Sequence, residues 1–246
     1  MVLNLFKSKP VEERYGEIGF FLRRNPQTQK YTYANWGSRK WEYYYVGKLL
    51  EEIGIAHKNV VDIGIGLPSD SNFYEYYVES DCNLIGLDPD TRLDDITQLS
   101  ETCCIYRKSA EKMSSIEDGS TDVVVALSSL EHFPFEAFNK TIQEVHRSLK
   151  DDGHFIVTLD LTYDKRSSAP WAILEKTMNG LPVEENDERL EDRYQQLTLE
   201  HFIKLISPYF YSKDESIANR SSPVRELVYS KKWNSHIAYM HLYKVK

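Results

Sequence analysis

Runs of apolar residues alternate with amphipathic stretches through the middle of the chain. The runs are apolar at nearly every position, and they are Asn59–Ile63, Asn83–Leu87, Val123–Leu127 and Phe155–Leu159. Continuous apolar runs are typical of strands that helices cover on both faces. Between the runs, residues 71–79 and 135–149 are predicted to be helices. This alternation predicts an α/β protein with a mostly parallel sheet.

The helix predicted over residues 135–149 has its apolar residues on one side. Phe138, Ile142, Val145 and Leu149 recur at helical spacing, and Gly153 is expected to turn the chain into the next strand. A helix over 39–53 is predicted before the first strand, with an apolar stripe. That stripe comprises Trp41, Tyr45, Leu49 and Ile53.

The end of the chain changes from helical spacing to strict alternation. A helix is predicted from the cap residue Thr198 to about Ile206. Two strands follow at 224–230 and 235–245, and the second alternates apolar and polar positions. Alternation of this kind is typical of an antiparallel strand, so the last strand is expected to run antiparallel to its neighbour.

The loop after the first apolar run has two glycines at alternate positions. Gly64 and Gly66 follow Asp62, and glycine permits both a sharp reversal into a helix and close approach of a ligand to the backbone. Taken alone, the two glycines fit an ordinary tight turn equally well. The next run ends in Asp88, whose carboxylate can accept hydrogen bonds from both hydroxyls of a ribose. Together these features indicate a nucleoside-containing cofactor.

Three further segments follow in a fixed order. They are Lys108-Ser109-Ala110-Glu111, Asp122-Val123-Val124 leading to Leu130-Glu131-His132, and Leu149-Lys150-Asp151-Asp152-Gly153. With the glycine loop and Asp88, this set resembles the class I S-adenosylmethionine-dependent methyltransferases, in particular their small-molecule branch. The resemblance is dense over residues 59–160 and loose in the flanks. It implies a Rossmann-like seven-stranded sheet with an antiparallel last strand, helices on both faces, and S-adenosyl-L-methionine as the cofactor.

The resemblance also implies a role for particular residues at the cofactor. Asp62 organises the loop, Gly64 and Gly66 lie against the methionine part, and Asp88 holds the ribose hydroxyls. The adenine is edged by three consecutive residues, Ser109, Ala110 and Glu111. Backbone groups near Ala126 and Leu127 reach the amino-acid end. Pro68 and Ser109 depart from the family pattern, since a third glycine and an aspartate are usual there.

Two residues are candidates for a general base. His132 follows the fourth strand of the predicted core at the cleft, where a neutral imidazole can accept a proton from a hydroxyl or an amine. Asp160 lies at the end of the fifth, facing the expected acceptor. Each has a structural alternative, because Leu-Glu-His recurs in family members with different acceptors and an aspartate can cap a turn.

Composition limits the partners. The chain has 246 residues, 30 basic and 38 acidic side chains, and a net charge of −8. This balance disfavours nucleic acid, which proteins usually bind through a basic surface. No apolar run approaches the length of a membrane span, and no signal peptide is predicted at the N-terminus. The three cysteines lack metal-ligand spacing, so no metal site is expected, and their odd number favours reduced thiols in the cytoplasm.

The expected domain organisation is a core with a cap. Residues 1–58 are predicted to form a helical and aromatic cap segment, and residues 59–246 the S-adenosylmethionine-binding core. Within the core, residues 161–195 are predicted to be an insertion or a lid. The sequence predicts no oligomeric state.

The predicted activity is methyl transfer to an O or N atom of a small-molecule or sugar-type acceptor. Tyrosine and tryptophan density near the cleft fits an acceptor ring that stacks on aromatic side chains. The alternatives are a protein acceptor, a non-catalytic binding module with the same fold, and a nicotinamide-dependent dehydrogenase. The dehydrogenase fits less well, because Ser69 stands where its fingerprint expects glycine or alanine and Leu130-Glu131-His132 would have no explanation.

Overall fold

A computed structural model describes residues 37–68, 73–161, 199–212, 224–230 and 235–245. Most of the predicted cap segment, residues 1–36, lies outside these described residues. The helix-capping residue Thr198 and nearly all of the predicted lid, residues 161–195, also lie outside them. The described helices are α1 (Gly37–Ile53), α2 (Phe73–Glu79), α3 (Phe135–Ser148) and α4 (Leu199–Ile206). Within these ranges no helix has the length and apolar character needed to cross a membrane.

Each of the four apolar runs of the sequence lies within a strand. In chain order they are β1 (Asn59–Ile63), β2 (Asn83–Leu87), β3 (Ile96–Gln98), β4 (Cys103–Tyr106), β5 (Thr121–Leu127), β6 (Leu149–Leu161), β7 (Phe210–Tyr211), β8 (Val224–Ser230) and β9 (Ser235–Lys244). A short 3₁₀ helix, Leu130–His132, follows β5.

The strands form one mixed sheet. Its central order is β4-β2-β1-β5-β6-β9, with β8 beside β9. The pairs β4-β2, β2-β1, β1-β5 and β5-β6 are parallel, whereas β9 runs antiparallel to β6 and to β8. These seven strands confirm the predicted arrangement with its antiparallel last strand. Two short strands add to it: β3 pairs antiparallel with β4, and β7 pairs antiparallel with β9.

Helices cover both faces of the sheet, as predicted. On one face, α1 and α2 pack against alternate residues of the strands, including Val60, Val123 and Ile156. On the other face, α3 and α4 pack against the intervening residues, including Val61 and Val124. Strand side chains alternate between faces, so burial on both explains the continuous apolar runs.

The buried face of α1 differs from the predicted stripe. Tyr43, Val46 and Leu50 are buried, whereas the predicted Tyr45 and Ile53 are only partly buried. Leu49 is buried as predicted, and the side chain of Trp41 lies outside the described residues. The difference arises because tyrosines occur on two sides of this helix, so spacing alone did not identify the side that meets the sheet.

Gly153 lies within the range of β6, at a bend of the chain. A Cβ at this position would lie 2.7 Å from Leu149 Cγ. The register with β5 is irregular here, since Thr121 is opposite Leu149 and Val123 is opposite His154. The three extra residues of β6 form a tight bend at which glycine is needed for close packing, in agreement with the predicted role of Gly153 in turning the chain.

Candidate cofactor site

The carboxyl ends of β1, β2, β4 and β5 meet at one edge of the sheet because these strands are parallel. The chain leaves each strand there with a polar segment, beginning at Gly64, Asp88, Arg107 and Ser128 respectively. The backbone pairing continues into two of the segments, since Gly64 N–H donates to Leu87 O (2.8 Å) and Asp88 N–H donates to Tyr106 O (3.2 Å). In open α/β sheets, this edge is where ligands bind.

The two glycines of the β1 loop are required for different reasons. Both have left-handed backbone dihedrals, with φ of 71° at Gly64 and 78° at Gly66. A Cβ on Gly64 would overlap the Ser129 side chain, so that side of Gly64 is filled by protein. A Cβ on Gly66 would meet no atom of the described residues within 4 Å, so that side of Gly66 is open in the described part of the chain. The space that a ligand can use therefore lies beside Gly66.

Asp88 connects the end of β2 to the glycine loop. Its Oδ2 accepts a hydrogen bond from Gly66 N–H (2.9 Å), and its Oδ1 accepts one from Asp90 N–H (2.9 Å). Each carboxylate oxygen has more than one acceptor site, so these bonds leave capacity for ligand hydroxyls. The carboxylate predicted at the ribose thus lies directly beside the open space at Gly66.

Asp62 is buried under the same loop. Its side chain is 2% exposed, and its Oδ2 accepts a hydrogen bond from the Tyr77 hydroxyl of α2 (2.8 Å). Burial raises the pKa of Tyr77 well above its ordinary value, and the neighbouring Asp62 carboxylate raises it further, so Tyr77 stays protonated and donates. Asp62 therefore joins β1 to α2 across the loop, in keeping with the organising role that the resemblance implies.

The three predicted adenine-side residues lie in the segment after β4. Ala110 is buried in the core, whereas Ser109 and Glu111 are partly exposed. The segment is attached to α3 a few residues further on. Glu144 accepts a hydrogen bond from Met113 N–H (2.9 Å), and Arg147 donates to Met113 O (3.0 Å) and to Ile116 O (2.9 Å). Side chains of α3 therefore hold in place the segment that contains the three predicted adenine-side residues.

The predicted Ala126 and Leu127 end β5 and are both buried. The next residue, Ser128, has a left-handed backbone with φ of 39°. Its N–H donates to Thr158 O and to Thr158 Oγ1, each at 3.0 Å. Its hydroxyl donates to Glu42 of α1 (2.8 Å). The turn that ends β5 is thus held by β6 and by α1.

Glu42, Ser128, Ser129 and Thr158 were not predicted as site residues. Glu42 lies in a helix whose pattern predicts packing, and a serine or threonine near a strand end is common. A glutamate on the buried side of an amphipathic helix was the available signal, but the predicted stripe assigned the buried side to other residues.

The structure describes the side chain of one candidate base, His132, but not that of the other, Asp160. His132 ends the 3₁₀ helix after β5, its side chain is exposed, and its N–H donates to Ser129 O (3.1 Å). Asp160 lies near the end of β6, opposite Ile237 of β9. Both positions are at the carboxyl edge of the sheet, and the side chain of Asp160 is outside the described residues.

Comparison with known protein families identifies the central part of the chain. A family of proteins described as "Methyltransferase domain" matches residues 61–157, which extend from β1 to β6 and include the glycine loop, Asp88 and the β5 end. The match to this methyltransferase family thus covers residues 61–157 of the chain. This agrees with the class I methyltransferase resemblance of the sequence and indicates S-adenosylmethionine as the cofactor. A search of curated protein sequences found no match.

Solved structures with the same fold as this methyltransferase domain extend over most of the chain. The 1,6-didemethyltoxoflavin-N1-methyltransferase of Burkholderia thailandensis, solved with S-adenosylhomocysteine, is 15% identical, with a TM-score of 0.52 over 81% of this chain and 76% of that chain. The PH0226 protein of Pyrococcus horikoshii OT3 is 17% identical, with a TM-score of 0.53 over 92% and 98% of the two chains. The [4+2]-cyclase SpnF is 15% identical, with a TM-score of 0.54 over 87% of each chain. At these identities the likeness concerns the fold alone.

Proposed function

We propose that this chain is an S-adenosylmethionine-dependent methyltransferase that transfers a methyl group to an O or N atom of a small-molecule or sugar-type acceptor. The observation that supports cofactor binding best is the Asp88 carboxylate bonded to Gly66 N–H beside open space. The carboxylate that we propose for the ribose hydroxyls thus lies beside a backbone that a ligand can approach.

The described residues fit this cofactor. Gly66 leaves room at the backbone, and Asp88 offers acceptor oxygens for two hydroxyls. In the proposed arrangement Ser109, Ala110 and Glu111 border the adenine, and the β5 end at Ala126 and Leu127 borders the amino-acid part. S-Adenosylmethionine supplies a methyl group on a sulfonium, whose sulfur is a very good leaving group. The task of the protein is then mainly to align the two reactants and to exclude water.

The acceptor must lose a proton when it is a hydroxyl or a protonated amine. We assign this role to His132 or to Asp160, both at the carboxyl edge of the sheet. A base should lose turnover when replaced by alanine while cofactor affinity remains, and the loss should shrink at high pH, where more of the acceptor is already deprotonated. Assays of His132→Ala and Asp160→Ala for turnover and for cofactor affinity test the assignment. Full turnover in both variants would mean that positioning alone suffices.

The small acceptor is supported by charge and by aromatic content. The net charge of −8 disfavours a polyanionic acceptor, and tyrosines and tryptophans are dense between Tyr31 and Trp41. We propose that this segment and residues 161–195 close the cleft over the acceptor. Hydrogen exchange in both segments should slow when S-adenosylhomocysteine and an acceptor are bound together.

A second candidate function uses the same fold without methyl transfer. A cyclase is among the structures of similar fold, so the fold alone does not fix the reaction. Incubation with S-adenosylmethionine labelled in its methyl group and a metabolite extract distinguishes the two. Label transfer to a small molecule supports the proposed reaction. Cofactor binding without transfer to any small molecule or protein supports a function without methyl transfer.

Asp88→Ala tests the cofactor site directly. Hydrogen bonds to a charged group contribute about 1.5–3 kcal/mol, so the variant should bind S-adenosylmethionine about 10- to 100-fold more weakly in calorimetry. Asp94→Ala is a matched control, because Asp94 is an exposed carboxylate a few residues further along. Equal affinities in the wild-type protein and in Asp88→Ala would contradict the ribose assignment.

A further inference from the structure

A buried carboxylate of α1 lies at the edge of the sheet where the cofactor site is formed. Glu42 is 1% exposed. One of its oxygens, Oε2, accepts hydrogen bonds from the Ser128 hydroxyl (2.8 Å) and from the Thr158 hydroxyl (2.7 Å). These partners are 86 and 116 residues away in the sequence, so the helix is bonded here to the ends of two central strands.

A buried carboxylate is an energetically unfavourable way to attach a helix to a sheet. Removing a carboxylate from water costs several kcal/mol, and apolar side chains of similar size usually stabilise a packed helix at least as well. The rest of the buried face of α1 is apolar or aromatic, with Tyr43, Val46 and Leu50. A carboxyl group in this position therefore indicates a task other than packing.

The bonds of Glu42 act on the turn that borders the cofactor loop. Ser128 has the left-handed backbone that directs the chain away from β5. Ser129, the next residue, donates its hydroxyl to Ile63 O (2.8 Å) and fills the space beside Gly64. A shift of Ser128 would thus be transmitted through Ser129 to the end of β1 and to the glycine loop.

Thr158 of β6 bonds both Glu42 and the turn at Ser128. Its hydroxyl donates to Glu42 and accepts from Ser128 N–H, so the three side chains and one backbone group form a closed set of bonds. A closed set with each hydroxyl oriented fixes positions more strictly than single bonds do.

We propose that Glu42 is a positioning residue of the methyl-donor site, which makes α1 part of that site. Its carboxylate holds Ser128 and Thr158 so that the β5 end and Gly64 keep the form that receives the amino-acid part of the cofactor. The role rests on the proposed function, since it concerns binding of S-adenosylmethionine. Glu42 acts through these neighbours and has no assigned contact with the reacting atoms.

The test uses variants that separate shape from hydrogen bonding. Glu42→Ala removes both bonds. Glu42→Gln keeps one oxygen that can accept both hydroxyls, because both bonds end on the same atom. Thr158→Val removes a hydroxyl with little change in shape, and Thr158→Ser restores it. Glu52→Ala is the control on the same helix, since Glu52 is 56% exposed and pairs only loosely with Lys48 (3.8 Å).

The measurements are S-adenosylmethionine affinity by calorimetry and unfolding in urea, at a temperature where each variant is folded. We expect Glu42→Ala and Thr158→Val to bind about tenfold more weakly than the Glu52→Ala control, which corresponds to about 1.4 kcal/mol. Glu42→Gln and Thr158→Ser should recover most of the affinity lost in Glu42→Ala and Thr158→Val. Because every variant is folded at this temperature, a loss of stability alone would not produce this pattern of lost and recovered affinity.

Two results would overturn the proposal. Wild-type affinity in both Glu42→Ala and Thr158→Val would show that the bonds do not position the site. Equal losses in Glu42→Gln and Glu42→Ala would show that the charge, rather than the geometry, matters. Failure of the wild-type protein to bind S-adenosylmethionine would instead refute the proposed function. If Glu42→Ala does not fold, Thr158→Val and Thr158→Ser still decide the question.

Discussion

At the scale of single residues, two glycines two positions apart have separate physical causes. Gly64 combines a left-handed backbone with contact to Ser129, whereas Gly66 combines the same backbone with open space. The first is needed for packing of the β1 and β5 ends, and the second for a ligand at the loop. The sequence pattern alone treats them as equivalent.

Gly64→Ala should therefore destabilise the protein more than Gly66→Ala. A left-handed alanine costs about 1–2 kcal/mol at either position. At Gly64 the new Cβ also overlaps Ser129, which must move and would lose its bond to Ile63 O. Urea unfolding should show the larger loss for Gly64→Ala, while Gly66→Ala should show the larger loss of cofactor affinity relative to its loss of stability. The same loss of stability in both variants would contradict this account.

At the scale of elements, hydrogen bonds of Arg147 and Glu144 join α3 to the segment after β4. Arg147 donates to two backbone carbonyls of that segment and to the side chains of Glu144 and Asp118. The segment contains the predicted adenine side of the cleft. The apolar face of α3 therefore packs in the core, whereas the hydrogen bonds of Arg147 hold the segment that contains the predicted adenine side.

Arg147→Lys should lower stability by about 1–3 kcal/mol, because one ammonium cannot reproduce the forked set of bonds. Lys140→Ala is a control on the same helix, since its ion pair with Glu136 (2.8 Å) is exposed and should contribute at most about 0.5 kcal/mol. Urea unfolding gives both values. A cost for Arg147→Lys no larger than that for Lys140→Ala would show that the bonds to the segment contribute little.

At the scale of the whole molecule, acidic groups outnumber basic ones, and the fold pairs some of the carboxylates with arginines. The hydrogen bond from Arg147 holds the pKa of Glu144 below its ordinary value of 4.5. The hydrogen bond from Arg92 lowers the pKa of Asp90 to about 2. A carboxyl whose pKa is depressed on folding stabilises the protein at pH values above its unfolded pKa. This contribution is lost as the pH falls through the folded value.

Stability should accordingly decline as the pH falls below about 4.5, where Glu144 begins to be protonated in the unfolded chain. Glu144→Gln should be less stable than the wild-type protein at pH 7, and the difference should shrink on acidification. Glu117→Gln, at an exposed carboxylate of the neighbouring segment, is the control. Urea unfolding at a series of pH values measures the differences. A difference between Glu144→Gln and wild type that is independent of pH would exclude the ionised pair as its source.

Local pattern was sufficient for most of the sheet. Continuous apolar runs predicted β1, β2, β5 and β6, and the alternation after residue 235 predicted the antiparallel β9. The glycines with Asp88 predict a cofactor at the edge of the sheet. These features are local because strand burial, turn dihedrals and an acid at a strand end each depend on a few consecutive residues. The short strands β3 and β7 were not predicted, since two or three residues contain too little pattern.

Tertiary structure decided which surfaces meet. The bonds of Glu42 to Ser128 and Thr158 join positions 86 and 116 residues apart, and no periodicity in α1 encodes them. The buried side of α1 depended on the shape of the sheet beneath it, because tyrosines on either side of the helix could have been buried. Ser129 determined that Gly64 must lack a side chain, whereas open space determined the place of Gly66. Sequence by itself thus specified the elements and the chemistry at their ends, and contacts between distant segments arranged that chemistry into a site.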